Sequence, residues 1–137
     1  LHWGHDISPE ENQYEAGLSF AISYKKESNF IGKESLVKFK KLKQDRRLIM
    51  LSLIDSVPGW PLLLHEEPIY LKDTIIGRTT SGNYSFNYNK NLSFGYVKSE
   101  YSNEELGKRG LYIEVAKQKY PVKVEVDPLK DKQAKFL

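Results

Sequence analysis

Short apolar or alternating segments follow one another through the last two thirds of the chain, a pattern typical of half-buried β-strands. Six strands are predicted, over residues 46–54, 67–71, 74–80, 91–97, 110–116 and 119–126. A turn is expected at 58–61, and two-residue links are expected at 72–73 and 117–118. Strands of this length and spacing predict a small antiparallel barrel or sandwich. Pro121 lies inside the last segment and predicts an edge strand or a bulge there.

A polar stretch, Thr-Thr-Ser-Gly-Asn at 79–83, lies between two of the apolar segments. It has two interpretations, an ordinary loop or a surface that faces another part of the protein. Its hydroxyl groups are suited to satisfying backbone groups locally. Its glycine and Gly77 suit a tight turn or a bulge.

The first 44 residues, called the lead-in below, have a different pattern. Residues 16–24 are mostly apolar and predict a buried strand, and residues 32–43 predict a helix with an imperfect apolar stripe. A segment of this size is too short to build a core of its own. The chain therefore divides into a mixed α/β lead-in (1–44) and an all-β module (45–137), which ends in a polar tail over 128–137. The lead-in is expected to belong to a domain that continues upstream.

Length and composition limit the class of protein. A chain of 137 residues is one domain or a piece of a larger protein, and its start at Leu1 is interpreted as a start within a longer protein or after processing. Cysteine is absent, which excludes disulfides and cysteine-based zinc sites and fits a reducing compartment. No apolar run approaches the ~20 residues that span a bilayer, so no membrane partner is predicted.

The charge pattern argues against a nucleic-acid partner. The formal net charge of +3 is low for a dedicated nucleic-acid binder. Six basic residues lie within 38–47, and they are interpreted as a solvated helix end that complements the helix dipole. An RNA-binding barrel is an alternative that fits the lysines, but the sequence lacks a basic aromatic face.

The candidate catalytic and metal-binding residues form no convincing set. His2 and His5 lie near acidic residues, as does His65, but this spacing is a weak signal for a metal, and no metal site is predicted. No P-loop, dinucleotide fingerprint or Gly-x-Ser-x-Gly elbow is present. The many tyrosines of the β module are expected to be structural. No catalytic residue is therefore predicted, and the isolated chain is expected to be inactive.

Five segments occur in an order that resembles a known family. They are "WGHDISPEENQYEAGLSFAI" (3–22), "NFIGKESLVKFK" (29–40), "RRLIMLSL" (46–53), "EPIYLKDTIIGRTTSGNYSFNYNKNLSFGYV" (67–97) and "YPVKVEVDPLKD" (120–131). Together they resemble the C-terminal part of the aminomethyltransferase (glycine-cleavage T-protein) family. The resemblance implies a mainly β fold. Residues 1–44 would end a folate-binding aminomethyltransferase domain, and residues 45–137 would form the C-terminal antiparallel β-barrel, in which 79–82 is mainly architectural.

Two stretches favour one branch of this superfamily. "HWGHD" (2–6) and "PGWPLLLHEEPIY" (58–70) resemble the flavin-linked dimethylglycine and sarcosine dehydrogenases. That resemblance implies a parent protein with upstream FAD and folate domains on the same polypeptide. The parent would oxidise an N-methyl amine and pass the one-carbon unit to tetrahydrofolate. Two alternatives stay open, a flavin-free folate-dependent aminomethyltransferase and a non-enzymatic regulatory protein on the same fold. The expected location is the bacterial cytoplasm, or the mitochondrial matrix in a eukaryote.

The resemblance also implies three cofactor-binding residues. Trp3 and His5 would border the folate cavity, with Trp3 packed against the pterin ring. Lys26 lies near the position of the family's folate-contacting arginine, and a lysine loses the bidentate fork of an arginine. The catalytic aspartate and the folate-contacting glutamate of the family would lie upstream of this sequence. Weak or absent folate binding is therefore expected for the chain alone.

Overall fold

A computed structural model describes residues 1–108 and 110–126, and the predicted tail over 128–137 lies outside the described residues. The strands are β1 (Arg46–Leu53), β2 (Pro68–Leu71), β3 (Thr74–Ser85), β4 (Lys90–Lys98), β5 (Leu111–Val115) and β6 (Gln118–Glu125). The helices are a 3₁₀ helix (Ser19–Ala21), α1 (Lys33–Lys41) and α2 (Asn103–Leu106). The strands form a closed barrel in the order β1-β4-β3-β2-β5-β6, with antiparallel neighbours. The predicted antiparallel barrel is confirmed.

The barrel interior is filled by alternate side chains of the strands, as the alternation predicts. Leu51, Leu53, Ile69 and Ile113 are completely buried in one apolar cluster. Leu106 of α2 belongs to the same cluster. Helix α2 was not predicted, although Ser102 and Glu105 form the capping box that begins it.

Strand β3 is longer than predicted. It runs through the polar stretch 79–83, so the interpretation of that stretch as a loop is wrong. The β5–β6 turn is formed by Ala116 and Lys117, one residue earlier than predicted. Both residues have positive φ angles, of 48° and 65°, which suit the right-handed twist of a two-residue hairpin.

The expectation that Pro121 marks an edge strand or a bulge is also wrong. Strand β6 pairs with β5 on one side and β1 on the other, in continuous register. The β1–β6 pairing ends at Leu53 and Val122, and the Pro121 carbonyl accepts a hydrogen bond from the Ile54 amide at 3.0 Å. Pro121 therefore lies just beyond the last β1–β6 residue pair. Only its carbonyl makes a hydrogen bond on the β1 side, so the missing N–H of proline removes no hydrogen bond of the ladder.

In the lead-in, the predicted helix is confirmed as α1 and the predicted strand at 16–24 is wrong. That segment forms turns and the 3₁₀ helix, and Phe20 is 84% exposed. A strand needs a partner for its backbone groups, and the closed barrel offers no free edge. Helix α1 has no buried residue, and lysines occupy its last turn, where they complement the dipole. Among the described residues, no helix combines the length and the apolar character needed to cross a membrane.

Candidate functional site

A β-bulge in β3 brings two adjacent hydroxyl groups to one side of the strand. Thr79 pairs with Gly95 and Ser81 pairs with Phe94, so Thr80 is an extra residue in β3. In a regular strand, neighbouring side chains point to opposite faces. The bulge removes that alternation locally, and the Thr80 and Ser81 hydroxyls both donate to Asp6 Oδ1, at 2.5 and 2.7 Å.

Asp6 fastens the N-terminal loop, residues 2–7, to the barrel wall. Its side chain is 1% exposed, and its second carboxylate oxygen accepts a hydrogen bond from the His2 amide at 2.6 Å. The Asp6 carbonyl accepts from the Tyr96 hydroxyl at 2.9 Å. We call Asp6, Thr80, Ser81 and Tyr96 the Asp6 anchor.

The Asp6 carboxylate is ionised, and both of its oxygens accept hydrogen bonds. Burial alone would raise its pKa, but the hydrogen bonds from Thr80, Ser81 and the His2 amide outweigh burial and hold the pKa below 3.8. An ionised carboxylate whose oxygens already accept three hydrogen bonds is poorly suited to act as a general base. Its role is therefore to fix the loop.

This lowered pKa predicts an acid-dependent loss of stability. Because the folded pKa lies below the unfolded one, the contribution of Asp6 is complete above about pH 4 and is lost as the pH falls through the folded pKa. Urea unfolding of wild type and Asp6→Asn measures it, because asparagine does not titrate. The stability difference between the two proteins should shrink from about pH 5.5 to about pH 3. An unchanged difference would contradict this assignment.

Arg46 fastens the lead-in at a second point. Its guanidinium pairs with Glu11 at 3.0 Å and with Glu15 at 3.5 Å, and it lies 5.0 Å from the centre of the Tyr96 ring. The Glu15 carbonyl also accepts a hydrogen bond from the Leu48 amide of β1 at 2.8 Å. Burial, followed by the charge of Glu11, raises the pKa of Tyr96 to about 12, so its hydroxyl remains a donor to the Asp6 anchor.

The remaining residues of 79–82 fasten the β1–β2 loop. Thr79 Oγ1 donates to Glu67 Oε2 at 2.5 Å and accepts from the Glu67 amide at 3.0 Å. A Cβ on Gly82 would lie 2.6 Å from Leu63 Cβ, so only glycine leaves room for the buried Leu63. The stretch 79–82 therefore joins the lead-in and the β1–β2 loop to the barrel.

The structure places two of the three predicted cofactor-binding residues together. Trp3 and His5 both lie on the N-terminal loop, and the Trp3 side chain is 66% exposed. Lys26 lies on a separate segment between the 3₁₀ helix and α1, with an exposed side chain and a carbonyl 3.5 Å from Lys33 Nζ. The anchor thus holds a loop that presents an aromatic ring and an imidazole to solvent. Whether these residues contact folate stays a prediction.

All three histidines of the protein lie in one row. The His5 ring stacks on His2 at 4.5 Å between centroids and lies 5.4 Å from the tilted ring of His65. Within the described ranges, no group of three or more His, Asp or Glu side chains is arranged to hold a metal ion. Sequence reasoning missed the contribution of His65, because only the fold brings it beside a loop 60 positions earlier in the chain.

The chain matches one family model and is similar to several known proteins. A family model, the glycine cleavage T-protein C-terminal barrel domain, matches residues 46–131. The chain is 35% identical to mitochondrial dimethylglycine dehydrogenase of Rattus norvegicus over 128 residues, which cover 93% of this chain and 14% of that protein. It is also 35% identical to the aminomethyltransferase of Listeria monocytogenes serotype 4a (strain HCC23) over 126 residues, covering 92% and 32%.

A solved structure shares the fold of both the lead-in and the barrel. The crystal structure of the glycine cleavage system aminomethyltransferase T from Bartonella henselae matches 90% of this chain with a TM-score of 0.72 at 19% identity. The match covers 33% of that chain. The sequence therefore spans a third or less of each of these relatives.

Proposed function

Because the chain belongs to the glycine cleavage T-protein C-terminal barrel family, we propose that it is the C-terminal part of an FAD- and tetrahydrofolate-dependent oxidoreductase acting on N-methyl amines. The substrate class is that of dimethylglycine and sarcosine. The observation that carries this proposal is the match to a dimethylglycine dehydrogenase over 93% of the chain, lead-in and barrel included. The expected location is the bacterial cytoplasm or the mitochondrial matrix.

The N-terminal loop fits one wall of a tetrahydrofolate site. Trp3 offers an exposed aromatic face to the pterin ring, and His5 offers a ring nitrogen beside it. Lys26 adds an exposed cation on the lead-in. When bound, tetrahydrofolate accepts the one-carbon unit released by amine oxidation. The described residues hold no dinucleotide fingerprint, so FAD would be bound by an upstream domain.

The role of this chain in that enzyme is to close the folate cavity and to hold its wall rigid. The Asp6 anchor supports this role, because it fixes the residue next to His5 against two strands of the barrel. The Arg46 ion pairs restrain the lead-in beside it.

The lead-in also presents an apolar surface suited to an upstream domain. Its exposed large apolar side chains include Phe20, Ile31, Val37, Phe39 and Leu42. Apolar side chains in such number on so short a segment mark an interaction surface. We assign it to the upstream domains of the same polypeptide.

A flavin-free folate-dependent aminomethyltransferase is the second candidate. The 35% identity to the Listeria aminomethyltransferase equals the identity to the dehydrogenase. The barrel and the lead-in serve the same role in both proposals. The two differ in the domain that precedes the lead-in.

The mass and visible absorption spectrum of the full-length parent separate these proposals. We expect a chain several times larger than 15.9 kDa with a flavin spectrum, and turnover of dimethylglycine or sarcosine that forms methylenetetrahydrofolate. A smaller colourless parent with folate-dependent aminomethyl transfer would establish the second candidate. A large colourless parent without turnover would overturn both and favour a regulatory protein. The 137-residue chain alone serves as the control and should be inactive.

A further inference from the structure

A groove of about 380 Å³ lies on the outer wall of β3 and β4, beside the lead-in. Its lining residues are Arg46, Glu66, Pro68, Ile75, Ile76, Gly77, Arg78, Tyr96, Val97 and Lys98. Among its apolar residues, the exposed Ile75 and the partly exposed Pro68 offer a surface to an aromatic or aliphatic body. Three cationic side chains and a single carboxylate line it, so the groove favours an anionic ligand.

Two of the three cations are available to a ligand. Arg46 is engaged with Glu11 and Glu15. Arg78 pairs with Glu66 at 2.9 Å, but the two side chains are 63% and 57% exposed, and exposed ion pairs of this kind contribute only about 0–1 kcal/mol. Lys98 Nζ lies 3.9 Å from Glu100, with both side chains exposed. A ligand carboxylate can therefore replace either partner at little cost.

The groove borders the N-terminal loop through Tyr96, which lines the groove and donates its hydroxyl to the Asp6 carbonyl at 2.9 Å. Glu66, on the groove rim, directly follows His65, whose ring lies 5.4 Å from His5. Arg46 and Tyr96 belong both to the groove lining and to the contacts that hold the lead-in. The N-terminal loop and the groove are therefore neighbours, linked by His65 on one side and Tyr96 on the other.

We propose that this groove, the Arg78 groove, binds the carboxylate-bearing end of the folate whose pterin end lies at the N-terminal loop. This inference rests on the proposed function. The aminobenzoyl ring packs on Ile75 and Pro68, and the glutamate carboxylates pair with Arg78 and Lys98. Arg78 provides the bidentate fork that Lys26 lacks. The barrel therefore both closes the folate cavity and supplies a residue that selects for the carboxylate end of the ligand.

NMR titration of the 137-residue chain tests this proposal with three probes, each added to about 1 mM so that the weak binding expected of the chain alone is detected. The probes are tetrahydrofolate, p-aminobenzoyl-glutamate and a tetrahydropterin that lacks the tail. The first two should shift the amides of Gly77, Arg78 and Lys98, and the third should not. Arg78→Ala should weaken binding of p-aminobenzoyl-glutamate about tenfold. The tetrahydropterin should bind equally to both proteins.

Lys123→Ala is the matched control, because Lys123 is also an exposed cation paired with one glutamate but lies outside the groove. It should leave all three affinities unchanged. Unaltered binding of the tail probe to Arg78→Ala, or shifts centred on Lys26, would overturn the groove proposal and leave the proposed function intact. Binding of the tail probe at Arg78, without binding of tetrahydrofolate to chain or parent, would retain an anion groove and reject the folate function.

Discussion

Replacement of Asp6 by alanine is expected to destabilise the protein by about 3 kcal/mol and to release the N-terminal loop. The change removes a buried charge that accepts three hydrogen bonds. It leaves the hydroxyls of Thr80 and Ser81 and the His2 amide without their acceptor. Urea unfolding gives the loss of stability, and the fluorescence of Trp3 reports the release of the loop.

Asp55→Ala is the matched control for that experiment. Asp55 is an exposed aspartate of the β1–β2 loop, and exposed substitutions of this kind change stability by about 0.5 kcal/mol or less. Equal effects of the two alanine substitutions would show that Asp6 does not anchor the loop.

Gly77→Ala is expected to cost about 4 kcal/mol or more, or to prevent folding. A Cβ at this position would lie 2.0 Å from the Tyr96 carbonyl oxygen and 2.9 Å from Val97 Cα. These are backbone atoms of the neighbouring strand, so no rotation of a side chain relieves the overlap. Strands β3 and β4 would have to separate, and β4 carries the Tyr96 hydroxyl of the Asp6 anchor. Thermal and urea unfolding measure the loss.

Gly107→Ala provides the comparison for Gly77→Ala. Gly107 has right-handed helical angles, and the nearest atom to an added Cβ is the Asn103 carbonyl oxygen at 3.2 Å. A small adjustment accommodates that contact, so a change of about 1 kcal/mol or less is expected. Similar losses at the two positions would mean that the close approach of β3 and β4 is not what requires glycine at 77.

The sequence was sufficient to predict the barrel strands but not the full length of β3. Alternation of apolar and polar positions reports which side chains face a core. The hydroxyl groups of 79–81 carry no such signal, because their partners are Asp6 and Glu67. Asp6 lies 74 positions from Thr80, and a contact of that range follows from the closed barrel, not from local pattern.

In the lead-in, the apolar pattern predicted a strand that the structure does not contain. The apolar residues of 16–24 resemble a strand, yet Phe20 is exposed and no strand edge is free in the barrel. In the proposed parent these side chains face another domain, and a pattern of apolar residues does not reveal which partner covers them. The capping box that begins α2 was readable in the sequence, since Ser102 and Glu105 have the required spacing.

The candidate site was predictable only in part. Trp3 and His5 follow from the family resemblance, and the structure shows that one loop presents both. The contact of the tilted His65 ring with His5 and the groove around Arg78 depend on how β3 and the β1–β2 loop pack beside the lead-in. Neither has a local sequence signal.

A crystal structure of the full-length parent with bound tetrahydrofolate would show whether the N-terminal loop forms a wall of the folate site. We expect the pterin ring against Trp3 and His5, with Asp6 still hydrogen-bonded to Thr80 and Ser81. A folate site remote from the N-terminal loop, or a loop detached from the barrel when folate is bound, would contradict this expectation.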